Sequence, residues 1–261
     1  MTALSTKLSA GEFAITAEIV PPASASSELL LAEAAHLKGL VDAINVTDGA
    51  GATTTMSSFS AAALLAGAGY EPVLQVTCRD RNRIALTADL LGAAAQGCHN
   101  LLILMGDDPA KGDQPEAKPV FDLDSRQVMQ LARQLRDEGV LPSGKALQAA
   151  PPFFVGAADM PFDPPADWKP DALQSKIDCG AQFTQTQFCF EPDVARRFIG
   201  RLQDEGITEQ VGVLLGIGPI VSARSARWMN DNLFGVTIPE ETIKRLDQAD
   251  DAKAEGRAIC A

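Results

Sequence analysis

The sequence predicts an α/β chain of the (β/α)8 TIM-barrel type, with the last strand missing or beyond the chain given. Three observations predict it. Short apolar runs alternate with amphipathic stretches about seven times along the 261 residues, the pattern of strands returning through helices. Polar residues recur inside or at the ends of those runs: Glu18, Thr47, Gln75, Asp107 and Gln187. In a barrel all such positions face one mouth; a doubly wound open sheet is the alternative. The length suits one large α/β domain or two small ones, a barrel of about 250 residues being the common single-domain case, and residues 1–261 read as a single barrel domain.

Composition sets limits on function. Apolar residues make up 46% and charged residues 21%, enough for a large core. A net charge of −12 without a dense Lys/Arg cluster argues against nucleic acid and anionic membranes as partners. Five cysteines without framework spacing fit reduced thiols in a cytoplasm. No signal-like leader or membrane-spanning apolar run is expected.

Residues 13–22 read as a first strand stopped by Pro21 and Pro22, since proline ends a strand interior. With Ile15, Ala17 and Ile19 on one face, Thr16 and Glu18 share the other, and Glu18 projects into the lumen. Residues 27–40 read as a helix, and His36 on it as a surface or packing residue. Residues 43–47 form a second strand running into a loop of small and hydroxyl residues, 48–55, where a ligand can approach the backbone. The loop carries neither a dinucleotide nor a P-loop fingerprint. A helix over 57–68 and a third strand over 72–78 follow, then Arg79 and Arg81, read as solvated loop charges.

A helix over 84–95 leads to the fourth strand, 100–105, and to Gly106, Asp107, Asp108 and Pro109. Asp107 therefore stands where a buried strand has just ended. The polar connection 107–120 is long enough to suggest function. Residues 125–138 form a helix and 152–158 a fifth strand. A Pro-rich irregular loop spans 160–170, a helix 171–178, and a strictly alternating sixth strand 183–188. The remaining elements are a helix over 192–205, a strand over 211–218, a helix over 223–230 and one charged helix over 240–255.

The chemistry open to these residues is acid–base work by Glu18 and Asp107 on a buried heterocycle, with a desolvated Glu as the acid. No His, Cys and Asp set has metal-ligand spacing, and no hydrolase triad is evident. Cys78 and Cys98 read as buried structural thiols.

Several short pieces, in this order and spacing, resemble the methylenetetrahydrofolate reductase family. They are Ala17-Glu18-Ile19-Val20-Pro21-Pro22, Val46-Thr47, Leu74-Gln75-Val76-Thr77-Cys78 and Gly106-Asp107-Asp108-Pro109. Lys176-Ile177-Asp178-Cys179-Gly180-Ala181, Thr186-Gln187-Phe188 and Gly216-Ile217-Gly218-Pro219-Ile220 complete the set. The resemblance implies a flavin-bearing barrel that reduces 5,10-methylenetetrahydrofolate to 5-methyltetrahydrofolate. The cofactor would be FAD or FMN, and the electron donor NADH or NADPH. Glu18 would be the general acid and Asp107 would bind the pterin near the flavin. Thr47, Asp48, Gln75, Met105, Gly106, Asp107, Ala157 and Lys176 would hold the flavin. Gln187 and Met229, with Glu18 and Asp107, would meet the folate.

There are departures from the family. Gln75 stands where the family often has His, Met105 where it often has Arg, and Ala157 where it often has Tyr. Met229 replaces a stacking aromatic and Ser225 a Gln. They keep open a second reading, a folate- or flavin-binding barrel that takes electrons from a partner protein. A homo-oligomer is also open. A third reading is an unrelated lyase with Glu18 as base.

Overall fold

The computed structural model describes residues 1–261. Seven strands form one sheet whose order follows the chain: β1 Thr16–Ile19, β2 Ala43–Val46, β3 Pro72–Thr77, β4 Asn100–Leu104, β5 Phe154–Asp159, β6 Phe183–Phe188 and β7 Gly212–Gly216. The helices are α1 Ala3–Ser9, α2 Ser27–Ala35, α3 Ser58–Gly67, α4 Arg83–Ala95, α5 Ser125–Asp137, α6 Asp171–Asp178, α7 Pro192–Asp204, α8 Ala223–Asn232, α9 Glu240–Gln248 and α10 Ala252–Cys260. No helix is long and apolar enough to cross a membrane. The alternation is the barrel pattern read from the sequence.

Two compact units divide the chain. The first holds Met1–Ala157 and Gln174–Phe183, the second Ala158–Leu173 and Thr184–Ala261.

In the first unit β1 to β5 pair in parallel, each with its sequence neighbour. Strands β2 and β3 are buried at every position, as strands covered on both faces must be. The outward faces of the strands pack Val46, Leu74, Val76, Leu101 and Ile103 against Leu65, Leu86, Leu90 and Leu135 of the helices. Asn82 caps α4 by accepting from Ile84 N and Ala85 N, and Asp124 with Gln127 forms a capping box on α5; each such cap is worth about 1 kcal/mol. Inside the sheet Phe154 stacks on Phe183 at 5.0 Å. Gly156 leaves the room for that ring, since a Cβ there would lie 2.2 Å from it.

Helix α1 was not anticipated, because it is only 7 residues long. It is held from outside its own sequence: the Glu71 carboxylate accepts from Ala3 N at 2.6 Å and Leu4 N at 2.8 Å. Carboxylates favour helix N-termini for this reason. Thr2 donates to the buried Asn100 at 2.7 Å, and Leu4 is fully buried.

The second unit is built around two apolar groups. Phe162, Trp168 and Phe198 meet with centroids 5.2 to 5.9 Å apart, which orders the irregular segment after β5. Ile220, Ala226, Val236, Ile238, Ile243 and Leu246 form the other cluster. The single charged helix expected over 240–255 is two helices. Asp251 accepts from Lys253 N and Ala254 N, so it starts α10 and the chain breaks before it. The first strand is also shorter than expected, with Phe13 and Ile15 exposed and only Thr16–Ile19 paired.

Candidate active site

Glu18 lies near the end of β1 as register partner of Asn45 on β2. Its Oε2 accepts a hydrogen bond from Gln75 Nε2 of β3 at 2.8 Å. Solvent reaches the side chain, yet the surrounding protein desolvates the carboxyl and raises its pKa. The Gln75 amide opposes the shift without cancelling it. Burial thus favours the protonated form.

Beside this carboxyl lie polar atoms with nothing to bond. Asn45 and Thr47 are both 2% exposed, and Asn45 Oδ1 and Thr47 Oγ1 have no hydrogen-bond partner. Unpaired buried polar atoms are uncommon and point to a ligand or a functional need.

The loop after β2 is organised by Asp48. Its Oδ2 accepts from Thr77 N and Thr77 Oγ1 at 2.9 Å each and from Arg81 at 2.7 Å. Its Oδ1 accepts from Ser58 Oγ at 2.9 Å and Arg81 at 3.1 Å. Desolvation pushes this carboxyl up, but the Arg81 hydrogen bonds and charge, with Thr77 and Ser58, win and hold it below the ordinary range. Asp48 is therefore spent on the protein and anchors the loop. Arg79 and Arg81 are not the solvated charges expected from sequence. Arg81 lies 4.7 Å over the Phe59 ring and pairs with Asp48. Arg79 is 6% exposed and donates to Gly49 O at 3.1 Å and to Asp80.

The connection after β4 closes on the same loop. Asp107 Oδ2 accepts from Gly51 N at 2.7 Å. Asp113 accepts from Thr54 N at 3.0 Å and from Thr54 Oγ1 at 3.2 Å, and Gln114 donates to Thr54 Oγ1. Gly112 lies so close to this loop that a Cβ would stand 2.0 Å from Ala52 O. A cavity of about 250 Å³ lies beneath, lined by Thr53, Ser57, Arg79, Arg81 and Asp113 among others.

Gly106 has φ +92, and a Cβ there would crowd Arg79 and Thr77 at 3.0 and 3.1 Å. Its smallness serves the turn after β4 and the packing of the chain on β3. Met105 is 46% exposed beside it. Ala157 is fully buried on β5, and Lys176 stands half-buried in the last turn of α6.

Gln187 and Met229 belong to the second unit. Gln187 Oε1 accepts from Phe188 N at 2.9 Å and its Nε2 donates to Phe234 O at 3.5 Å. Met229 packs with Phe188, Phe190 and Leu233 against the apolar cluster there. Sequence reasoning passed over Asn45, although its two-residue spacing from Thr47 placed both on one face. It also missed Asp113 and Gln114, whose partners lie 59 and 60 residues away. Cys78 and Cys98 are buried, as expected; desolvation pushes their thiols up to about 12 and about 11.

The profile of the family described as "Methylenetetrahydrofolate reductase" matches residues 3–261. The chain belongs to the methylenetetrahydrofolate reductase family. Curated members of the family resemble it over part of their length. One is a Caenorhabditis elegans protein named "Probable methylenetetrahydrofolate reductase (NADPH)", 28% identical over 197 residues, which cover 74% of this chain and 27% of that protein. Another is "Methylenetetrahydrofolate reductase 2" of Schizosaccharomyces pombe, 26% identical over 212 residues, covering 77% and 31%. The chain thus spans about three-tenths of the length of these relatives.

Among solved structures, a Clostridium thermocellum protein described as binding two copies of 5-methyl-5,6,7,8-tetrahydrofolic acid superposes with a TM-score of 0.67 at 11% identity, over 98% of this chain and 84% of that one. Tryptophan synthase from M. tuberculosis gives 0.52 at 14%, over 100% and 97%. These likenesses show the fold.

Proposed function

We propose that this chain carries the reduction of 5,10-methylenetetrahydrofolate to 5-methyltetrahydrofolate, with Glu18 as general acid and residues 1–261 acting as one catalytic domain. The observation that carries the reading is Glu18 itself: a carboxyl near a strand end, desolvated toward its protonated form, in a chain matched by the family profile over residues 3–261. The names of the two relatives and the folate bound by the Clostridium protein support the same substrate class.

The donors present fit a flavin. Thr47 offers a buried hydroxyl without a partner, which suits the polar edge of a heterocycle. The 49–55 backbone, Gln75, Met105, Gly106, Ala157 and Lys176 would complete the site, with Asp48 holding the loop. When bound, FAD or FMN, reduced by NADH or NADPH, supplies the hydride.

Glu18 gives its proton to the ring nitrogen of the folate. The five-membered ring opens to an iminium whose carbon can accept hydride. Gln75 holds one oxygen of the carboxyl in place. Asp107 exchanges its Gly51 contact for N–H groups of the pterin.

The test separates two half-reactions by flavin absorbance in a stopped-flow instrument. Glu18→Gln should keep flavin binding and reduction by the nucleotide, and slow folate reduction by about 100-fold or more. Wild-type folate reduction in the variant would refute the role. A flavin in the wild-type protein that dithionite reduces but nicotinamides do not, and that folate still reoxidises, would favour the partner-fed reading.

A further inference from the structure

The Glu18–Gln75 hydrogen bond joins β1 to β3, and β2 lies between those strands. The bond therefore passes over the inner face of β2. That face carries Asn45 and Thr47, alternate residues pointing the same way. Asn45 is the register partner of Glu18. Its Nδ2 donates to Thr16 Oγ1 at 3.3 Å, and Thr16 is two residues before Glu18 on the same face of β1. Asn45 thus has its nitrogen committed to Thr16, while its oxygen is buried without a donor.

This arrangement is asymmetric toward the two states of Glu18. Against a carboxylate, the Asn45 oxygen is a second acceptor facing an acceptor, and neither gains. Against a carboxylic acid, it becomes the partner for the O–H. Gln75 already occupies Oε2, which leaves Oε1 for the proton. We infer that Asn45 is a positioning residue for Glu18: oriented by Thr16, it turns its side-chain oxygen toward the carboxyl and accepts the hydrogen bond from the protonated oxygen, directly or through one water. The acid is then held loaded, with its proton-bearing oxygen in a fixed place, until the substrate nitrogen takes the proton.

Other charged groups on the packed strands are engaged elsewhere. Asp48 after β2 and Arg81 after β3 pair with each other, Arg79 pairs with Asp80, and Asp107 after β4 holds Gly51 N. The groups acting on Glu18 are burial and the neutral Gln75 amide.

The inference rests on the reading of Glu18 as the acid, and its test needs neither flavin nor folate. The side-chain carboxyls of glutamate are labelled with 13C in the full chain, and Glu18 is assigned as the signal absent in Glu18→Gln. Thr16→Val keeps the branched shape and removes the oxygen that orients Asn45. The freed amide can then turn its N–H toward Glu18 and stabilise the ionised form. The Glu18 proton affinity should fall by about tenfold in Thr16→Val, a change of about one in pKa. Thr16→Ser, which keeps the oxygen, should titrate like wild type. A Thr16→Val midpoint equal to wild type overturns the inference, and so does an equal fall in both variants. If the Glu18→Gln kinetics fail while this titration behaves as expected, the catalytic reading is wrong and the positioning is right.

Discussion

Two regions of the first unit, a few residues apart on the same strands, treat their carboxyls in opposite ways. At the Asp48 loop every oxygen is met: five hydrogen bonds from Thr77, Ser58 and Arg81 converge on one carboxylate. At the Glu18 strip one hydrogen bond meets the carboxyl, and two buried oxygens beside it have none. Both carboxyls are desolvated. Asp48 is nevertheless driven below its ordinary pKa and Glu18 above. Desolvation acts on both, although Asp48 is buried and Glu18 is open to solvent; the partners decide the sign. A saturated carboxylate fixes a loop, and an undersupplied one is shifted toward the form that can give a proton away.

The comparison breaks hardest at Asp48. Asp48→Ala leaves the Arg81 guanidinium, 15% exposed, with only the more exposed Asp89 at 3.2 Å. Removing one partner of a buried pair costs about 3–5 kcal/mol, and urea unfolding at neutral pH should show a loss in that range. The cost should depend on pH with a definite sign. Asp48 is depressed in the folded state, so its contribution is full above the ordinary carboxylate value and lost as pH falls through the folded value. Wild type and variant should therefore converge in strong acid. Glu18 runs the other way: its raised value means the folded state holds the proton more tightly. Its contribution is full below the ordinary carboxylate value and declines as pH rises through the folded value. Relative to wild type, Glu18→Gln should thus gain stability on going from acid to neutral pH.

A smaller effect is expected where the clasp over the Asp48 loop is tightest. Gly112→Ala would set a methyl 2.0 Å from Ala52 O, and the obstacle is backbone rather than a movable side chain. Overpacking of this kind costs about 1–3 kcal/mol. The variant should show loosened protection of the Gly51 and Thr54 amides, which Asp107 and Asp113 hold, in hydrogen exchange. Unchanged protection at those two amides would mean that the clasp is not what holds the loop.

The sequence made the strip more legible than the loop. Alternation alone placed Thr16 and Glu18 on one face of β1, because strand side chains repeat every two residues. The barrel alternation, the strand before Gly106 and the helix Asp171–Asp178 were legible for similarly local reasons. The Arg81–Asp48 pair was not, since 33 residues separate the partners and an arginine after a strand looks the same whether it is solvated or buried. Helix α1 depends on Glu71, more than sixty residues away. The break between α9 and α10 was local, but Asp251 sits in a run whose charge pattern also suits a continuous helix. The closeness of Gly106 to Thr77 and Arg79 is a long-range contact that no local pattern announces. The place of Thr47 at a strand end is legible in the sequence. Only the burial of its hydroxyl, with no donor or acceptor in reach, distinguished it from an ordinary strand threonine.

That hydroxyl gives the smallest and most discriminating expected effect. Thr47→Val preserves the branched shape and exchanges an unpaired buried oxygen for a methyl. Leaving a buried polar group unsatisfied costs about 1–3 kcal/mol, so without a ligand the substitution should be neutral or stabilise by up to about 1 kcal/mol. The same change removes a hydrogen bond worth about 0.5–1.5 kcal/mol from any flavin held at the end of β2, so the Kd for FAD or FMN should weaken by roughly twofold to tenfold. Urea unfolding of the flavin-free protein should show no loss of stability, while quenching of flavin fluorescence on titration should show weaker binding. A variant that loses stability without ligand would show that the hydroxyl already serves the fold, and the strip would then resemble the Asp48 loop after all. A variant that keeps its flavin affinity would remove Thr47 from the flavin site and leave the strip to Glu18, Asn45 and Gln75.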